Sequence, residues 1–319
     1  MIVSILKMKK ENFSSLLFLL PFLLLFGIFL LFPIIYSFFL SFYGSPKDFS
    51  LSNLEWVGIS NYVQILGIHQ TPAGWKLNDP SFWWSLVVTL FYGGISIPLG
   101  IAASLGLAIL LNNKLAGKNF FRSAFFLPNV LDMLVVGVIW GLIYAPKYGA
   151  LAQISTIFLG KDNFLNTTGL LGSGLTALPA VVIAMILKGA GFGMILFLAA
   201  LQNIPEAIYE AADIDGAGKW EQFRLITIPL LKPILIFMVI TGVIGSLNAF
   251  TEIYAMTSGG PQVVVGGETL GSTSVSGYYL YKQFEGGKYG YAAAISYVLL
   301  ILTLIVTFLQ QKLFSAEHR

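Results

Sequence analysis

Runs free of charged side chains dominate this chain, covering 12–46, 80–113, 163–187, 233–251 and 289–311, with a further run over 123–146 broken only by Asp132. Each can hold the roughly 20 apolar residues that cross a hydrocarbon core. Carrying the fourth run past Lys188 to Leu201 predicts six spans, near 13–42, 84–111, 124–145, 177–201, 228–250 and 290–313. Lipid cannot satisfy backbone polar groups, so all six are expected to be helices. The expected fold is an all-α integral membrane protein, a single transmembrane domain over 1–319.

Small residues recur at packing intervals within these runs: Gly189 with Gly193, Gly93 with Ile97 and Gly100, and Gly242 with Ser246. Such spacing lets helix backbones approach closely in lipid. Trp83, Trp84, Trp140 and Tyr144 fall near span ends, where amphipathic rings settle at headgroup level. The loop from Tyr43 to Trp83 is broken by Ser45-Pro46, Thr71-Pro72 and Asp79-Pro80.

Composition agrees with the pattern, since 56% of the 319 residues are hydrophobic and only 10% charged. Ordinary globular chains carry about a quarter charged residues. Cysteine is absent, which removes disulfide, thiol-redox and cysteine-zinc chemistry. His69 and His318 are assigned no role, and no catalytic or metal-binding constellation is seen. The first run is too long for a signal-peptide core and is read as a retained span.

The connections differ in charge. Lys7, Lys9, Lys10, Lys114, Lys118, Arg122, Lys219, Arg224, Lys232, Lys312 and Arg319 lie on one set, and Lys47, Lys76, Lys147, Lys161, Lys282 and Lys288 on the longer opposite set. The positive-inside rule then places both termini and the loop over 202–227 in the cytoplasm. The net charge of +3 therefore reports topology and gives no support for nucleic-acid binding.

That loop reads as a helical elbow. Pro205 can open a helix because its missing N–H costs nothing in the first turn, and Glu206 suits the positive end of the dipole. The helix should end at Gly216, the residue most tolerant of the left-handed conformation. A second short helix, near 219–226, is expected to stop before Pro229 and Pro233 reset the chain into the fifth span. Ala207, Ala211 and Ala212 present a low profile suited to a groove, Glu210, Asp213 and Asp215 line the flank, and Phe223 with Ile226 can anchor the second helix.

The order Glu210-Ala211-Ala212, Gly216, Ile226, Ile228, Pro229 resembles the signature of the inner-membrane permeases of ATP-binding cassette importers. In that family it runs EAA, three variable residues, Gly, nine variable residues, Ile-x-Leu-Pro; Ile228 in place of Leu is the one departure. Further pieces look like the sugar and glycerol-phosphate permeases of the maltose-transporter class. These are Trp56-Val57-Gly58 with Asn61-Tyr62, residues 107–112, Lys118 to Arg122, Phe126-Leu127-Pro128, residues 137–140, Leu201 to Pro205, Ser258 to Pro261 and Gly290 to Ala294.

The resemblance implies that the elbow is a coupling helix seated in an ATPase cleft. Glu210 would supply a polar contact and Gly216 the turn, with Ala211, Ala212, Asp215, Ala217, Ile226 and Pro229 completing the set. It implies residence in a prokaryotic plasma (inner) membrane, with membrane lipid around it. The implied partners are a second permease subunit, identical or not, two ATP-binding cassette ATPase subunits and an extracytoplasmic solute-binding protein. No cofactor is expected on this chain; ATP and Mg²⁺ belong to the ATPases, because no G-x-x-x-x-G-K-[ST] loop is present.

Asp132 and Lys188 stand inside predicted spans, at a cost of at least ~2.5 kcal/mol each on insertion scales. At a helical rise of 1.5 Å per residue they lie on the order of 12 Å and 20 Å deep. They either pair within the bundle, or Lys188 lines a solute path with Asn129, Asp132 and Asn248. The alternative class is an ion-gradient-driven secondary transporter acting without an ATPase, for which Asp132 is the one coupling carboxylate within the predicted spans. An intramembrane enzyme would need paired catalytic groups that the spans do not offer.

Overall fold

The computed structural model describes residues 18–44, 54–71, 74–113 and 116–316. Lys7, Lys9, Lys10, Lys47, Lys114, His318 and Arg319 lie outside the described residues, as do the first residues of the span expected over 13–42. In chain order the elements begin with α1 (Phe18–Leu40), α2 (Ser60–Leu66), β1 (Ile68–Thr71), β2 (Gly74–Leu77), α3 (Pro80–Asn112), α4 (Lys118–Val130), α5 (Met133–Tyr144), α6 (Ala150–Leu159) and α7 (Phe164–Thr167). They continue with α8 (Ala177–Gln202), α9 (Glu206–Ile214), α10 (Lys219–Leu247), α11 (Thr251–Met256), β3 (Gln262–Val265), β4 (Glu268–Gly271), α12 (Ser276–Glu285) and α13 (Tyr289–Ala316). Among the described residues five helices are long and apolar enough to span, α1, α3, α8, α10 and α13, and six if the bent pair α4 and α5 is one span.

The chain divides into two units, Met1–Asn78 with Lys282–Val298, and Asp79–Tyr281 with Leu299–Arg319. In the first, no α1 side chain is buried, as suits a helix apolar on every side in hydrocarbon. The chain leaving α1 is clipped by the segment around Trp56 and Asn61. Asn61 Nδ2 donates to the carbonyls of Ser41 and Tyr43 at 2.8 and 2.9 Å, and Trp56 stacks on Phe42 with ring centroids 5.6 Å apart. β1 and β2 pair antiparallel beside α2 in sequence, with Ile68 opposite Leu77.

In the second unit α3 starts four residues before the predicted 84, at Pro80. Asp79 is its N-cap, with Oδ1 accepting from the Phe82 N–H at 3.0 Å while Oδ2 accepts from the Tyr279 hydroxyl at 2.6 Å. The Asp79-Pro80 pair read as a break in the chain is thus a helix start. α3, α8 and α10 share a core of Leu105, Ala108, Met194, Phe197, Leu201 and Leu231. Helices come close at several glycines: a Cβ on Gly191 would meet the Phe125 carbonyl oxygen of α4, one on Gly193 would meet Ser104 Oγ, and one on Gly93 would stand 2.6 Å from Ser246 Oγ. Gly189 and Gly100 meet no such neighbour and border an open cleft instead.

The aromatic residues expected at the membrane interface are largely structural. Tyr144 is buried and donates to the Ala180 carbonyl at 3.2 Å, and Trp84 Nε1 donates to the Gly271 carbonyl at 2.9 Å. Trp84 and Trp140 pack against the core formed by Val88, Tyr92, Val181, Val182 and Ile253. Tyr144 is buried and Trp84 and Trp140 are half-buried, so packing removes much of the apolar surface of these rings from solvent.

The third predicted span, 124–145, is not one helix. α4 and α5 meet at a 103° bend, and Asp132 is the N-cap of α5, its Oδ1 accepting from the Leu134 N–H at 2.8 Å. A carboxylate that begins a helix terminates the preceding one, so a depth counted along a continuous helix does not apply to Asp132.

Candidate functional site

Two regions of the second unit concentrate the unusual features: the elbow over 202–227, and a cleft between α3, α8 and α10.

At the elbow, Pro205 is the N-cap of α9 and Glu206 stands in its first turn. Gly216 has φ +81°, a conformation open to glycine and strained for other residues. Around it Asp215 N–H donates to Ala211 O at 3.0 Å and Ala217 N–H to Ala212 O at 2.9 Å, which satisfies the last carbonyls of α9. The predicted stop before Pro229 does not occur. α10 runs unbroken from Lys219 to Leu247, with one widened turn at Phe223–Thr227 immediately before Pro229. A turn of this kind takes up the mismatch that proline introduces into the hydrogen-bond ladder.

The two arms of the elbow are bolted together. Buried Gln222 donates through Nε2 to Asp213 Oδ1 at 2.5 Å and to Ala217 O at 3.1 Å, and Lys219 Nζ lies 3.5 Å from the same Asp213 oxygen. Tyr209 OH and Thr227 Oγ1 are 2.9 Å apart, which ties α9 to the root of α10. Phe223 packs on the core around Leu201 and Leu231, as the anchoring role required. Of the expected coupling residues, Glu210, Ala211, Asp215, Gly216 and Pro229 are exposed, Ala217 and Ile226 are half-buried, and Ala212 is buried. Ala212 therefore belongs to the packing of the elbow, not to its outer face. Ile214, Trp220 and Leu225 are 87, 69 and 69% exposed, an apolar group that the emphasis on small residues did not single out.

The cleft has a volume of about 350 Å³ and is walled by Tyr92, Ser96, Gly100 and Ser104 of α3, Met185 and Gly189 of α8, Met238, Gly242 and Ser246 of α10, Met133 and Glu252. Glu252 lies in the first turn of α11, is 6% exposed, and accepts through Oε1 from the Tyr92 hydroxyl at 2.9 Å.

None of the four residues expected on a solute path lies on this wall. Asp132 is exposed and caps α5, Asn248 is exposed and donates to Ile244 O at 2.8 Å, and Asn129 and Lys188 are half-buried. The ion pair found among the described residues is Lys219 with Asp213, so Asp132 and Lys188 are not joined. Counting along ideal helices suggested that these groups could meet; the α4–α5 bend makes that count inapplicable to Asp132. Glu252 was overlooked because it ends the charge-free run at Thr251, in a stretch assigned to a loop, although its apolar neighbours Phe250, Ile253 and Tyr254 were a signal.

Comparison with known proteins follows the same lines. Residues 80–316 match the model of the binding-protein-dependent transport system inner membrane component. The lactose transport system permease protein LacF of Rhizobium radiobacter is 33% identical over 305 residues, covering 95% of this chain and 94% of that protein. The trehalose/maltose transport system permease protein MalF of Thermococcus litoralis is 33% identical over 304 residues, with 95% and 94% covered. The arabinooligosaccharides transport system permease protein AraP of Bacillus subtilis is 34% identical over 301 residues, with 93% and 87% covered. A chain from the crystal structure of a bacterial ABC transporter involved in import of the acidic polysaccharide alginate shares the fold, with a TM-score of 0.76 at 21% identity over 97% of both chains. The alternative of an ion-gradient transporter working without an ATPase falls with this match, and Asp132, its one coupling carboxylate, is a helix cap. The chain belongs to the inner membrane components of binding-protein-dependent transport systems, and is a multi-pass, non-enzymatic translocation subunit of that family.

Proposed function

We propose that this chain carries a sugar, oligosaccharide or polyol derivative by alternating access, through the cleft between α3, α8 and α10. The sugar class follows the relatives above, whose names specify lactose, trehalose/maltose and arabinooligosaccharides. Two ATPase subunits supply the work, a second permease completes the path, and an extracytoplasmic binding protein delivers the solute. A similar fold is known in complex with a periplasmic protein holding an alginate pentasaccharide. Both termini and the elbow face the cytoplasm on the charge argument.

The observation that carries the reading is the bolted elbow. Gln222 and the Tyr209–Thr227 contact fix α9 to the root of a helix that runs unbroken into the cleft wall, where Met238, Gly242 and Ser246 stand. A push on exposed Ile214 or Glu210 can therefore reach the cleft without being absorbed by a hinge at Pro229. The chain has no cysteine, so an Ile214→Cys variant gives one defined attachment point. It should crosslink to a co-expressed ATPase subunit, and proteoliposomes of the complex should take up solute only with ATP inside. Uptake without the ATPases, or crosslinking only to the binding protein, would overturn the reading.

A further inference from the structure

The wall of the cleft includes Ser96, Ser104, Ser246, Met185 and Gly189, and a single charged residue, Glu252. Glu252 is 6% exposed, and its carboxylate accepts from the Tyr92 hydroxyl at 2.9 Å. We infer that Glu252 is a specificity-determining acceptor which makes the cleft selective for uncharged saccharides and polyols, and turns away acidic sugars and phosphorylated polyols. The inference deepens the proposed function and rests on the cleft being the solute path.

A carboxylate only accepts hydrogen bonds, and a polyol presents hydroxyl donors that suit it, often as a neighbouring pair. A uronate or phosphate entering the cleft would set a second negative charge beside Glu252. No Lys, Arg or His lines the wall to offset it. Beside a side chain withdrawn from bulk solvent, as Glu252 is, such like-charge repulsion is stronger than in water. Asp132, the N-cap of α5 beside Met133 of the wall, is exposed and engaged with the Leu134 N–H, and Lys188 of α8 is not on the wall. The likeness to an alginate importer extends to the fold, and the charge of this wall assigns a solute of the opposite kind.

The test uses the full complex without its binding protein, so that specificity of delivery does not enter. A Ser96→Cys substitution places one thiol on the wall of a chain that otherwise has none. Its alkylation by a small maleimide is followed with lactose, maltose, trehalose or arabinotriose as neutral probes, and lactobionate, maltobionate or an alginate trisaccharide as anionic ones. At least one neutral probe should slow labelling threefold or more, while anionic probes at equal concentration should not. Adding Glu252→Gln should give the anionic probes protection within twofold of the neutral ones, and Glu252→Asp, which keeps the charge, should retain the bias. Equal protection by both classes with Glu252 in place, or a bias unchanged by Glu252→Gln, overturns the charge inference and leaves the solute path standing. An unreactive thiol, or no protection by any saccharide, overturns the path itself.

Discussion

The elbow and the cleft are built on opposite principles. The elbow spends its polar side chains internally, Gln222 on Asp213 and Ala217 and Tyr209 on Thr227, and turns Ile214, Trp220 and Leu225 outward. The cleft keeps a carboxylate inside, and Ser96, Ser104, Ser246 and Glu252 all border one void. A large exposed apolar group marks a protein contact, whereas a buried charge beside an open cavity marks a ligand contact. On the proposed function the difference separates where force would enter from where selectivity would be set, so damage to one region should leave the other's recognition unchanged.

Gly216→Pro should have the largest effect. Proline holds φ near −65° and cannot adopt the +81° found there, so the arms of the elbow must part. ATPase subunits should be lost from the purified complex by tenfold or more, while maleimide access to a Ser96→Cys thiol stays within twofold. A parallel change in that access would break the separation of the two regions.

Gln222→Leu should be milder. It removes the bolt and leaves Asp213 with only Lys219, at a cost of about 1 kcal/mol for each lost hydrogen bond. The ATPases should still bind, but solute moved per ATP hydrolysed in proteoliposomes should fall two- to fivefold. A full coupling ratio would show that the elbow transmits force without being locked.

Tyr92→Phe acts on the other side of the comparison. It deprives Glu252 of its hydroxyl donor and should lower uptake about threefold through the apparent solute affinity, with ATPase recovery and basal hydrolysis unchanged. Lys188→Met should do least, staying within twofold of wild type in uptake, because this lysine lies neither on the cleft wall nor in an ion pair. A larger loss would restore it to the path.

How far these regions were legible depended on whether their residues are neighbours along the chain. The elbow is a local motif: Pro205, the alanines and Gly216 set helix start and stop within a dozen residues, and α9 and its turn appear where expected. Five of the six spans were equally legible, because apolar run length is itself the membrane criterion. The solute-path residues rested on distances between segments, which no single segment carries. Asp132 and Lys188 were brought together by counting along straight helices, and the 103° bend at Asp132 removed that premise.

By itself, then, the sequence determined an apolar, multi-helix membrane chain, its elbow, and the absence of any phosphate-binding loop for ATP, since run length, glycine turns and short motifs are encoded within one segment. Tertiary structure alone decided that Trp84, Trp140 and Tyr144 serve the core, that Ala212 is hidden, that α10 passes through Pro229 unbroken, and that Tyr92 and Glu252 meet across 160 positions of chain. The reason is physical: which side chains share a cavity depends on how close helix backbones can come, as at Gly93 and Gly193, and no single segment carries that information.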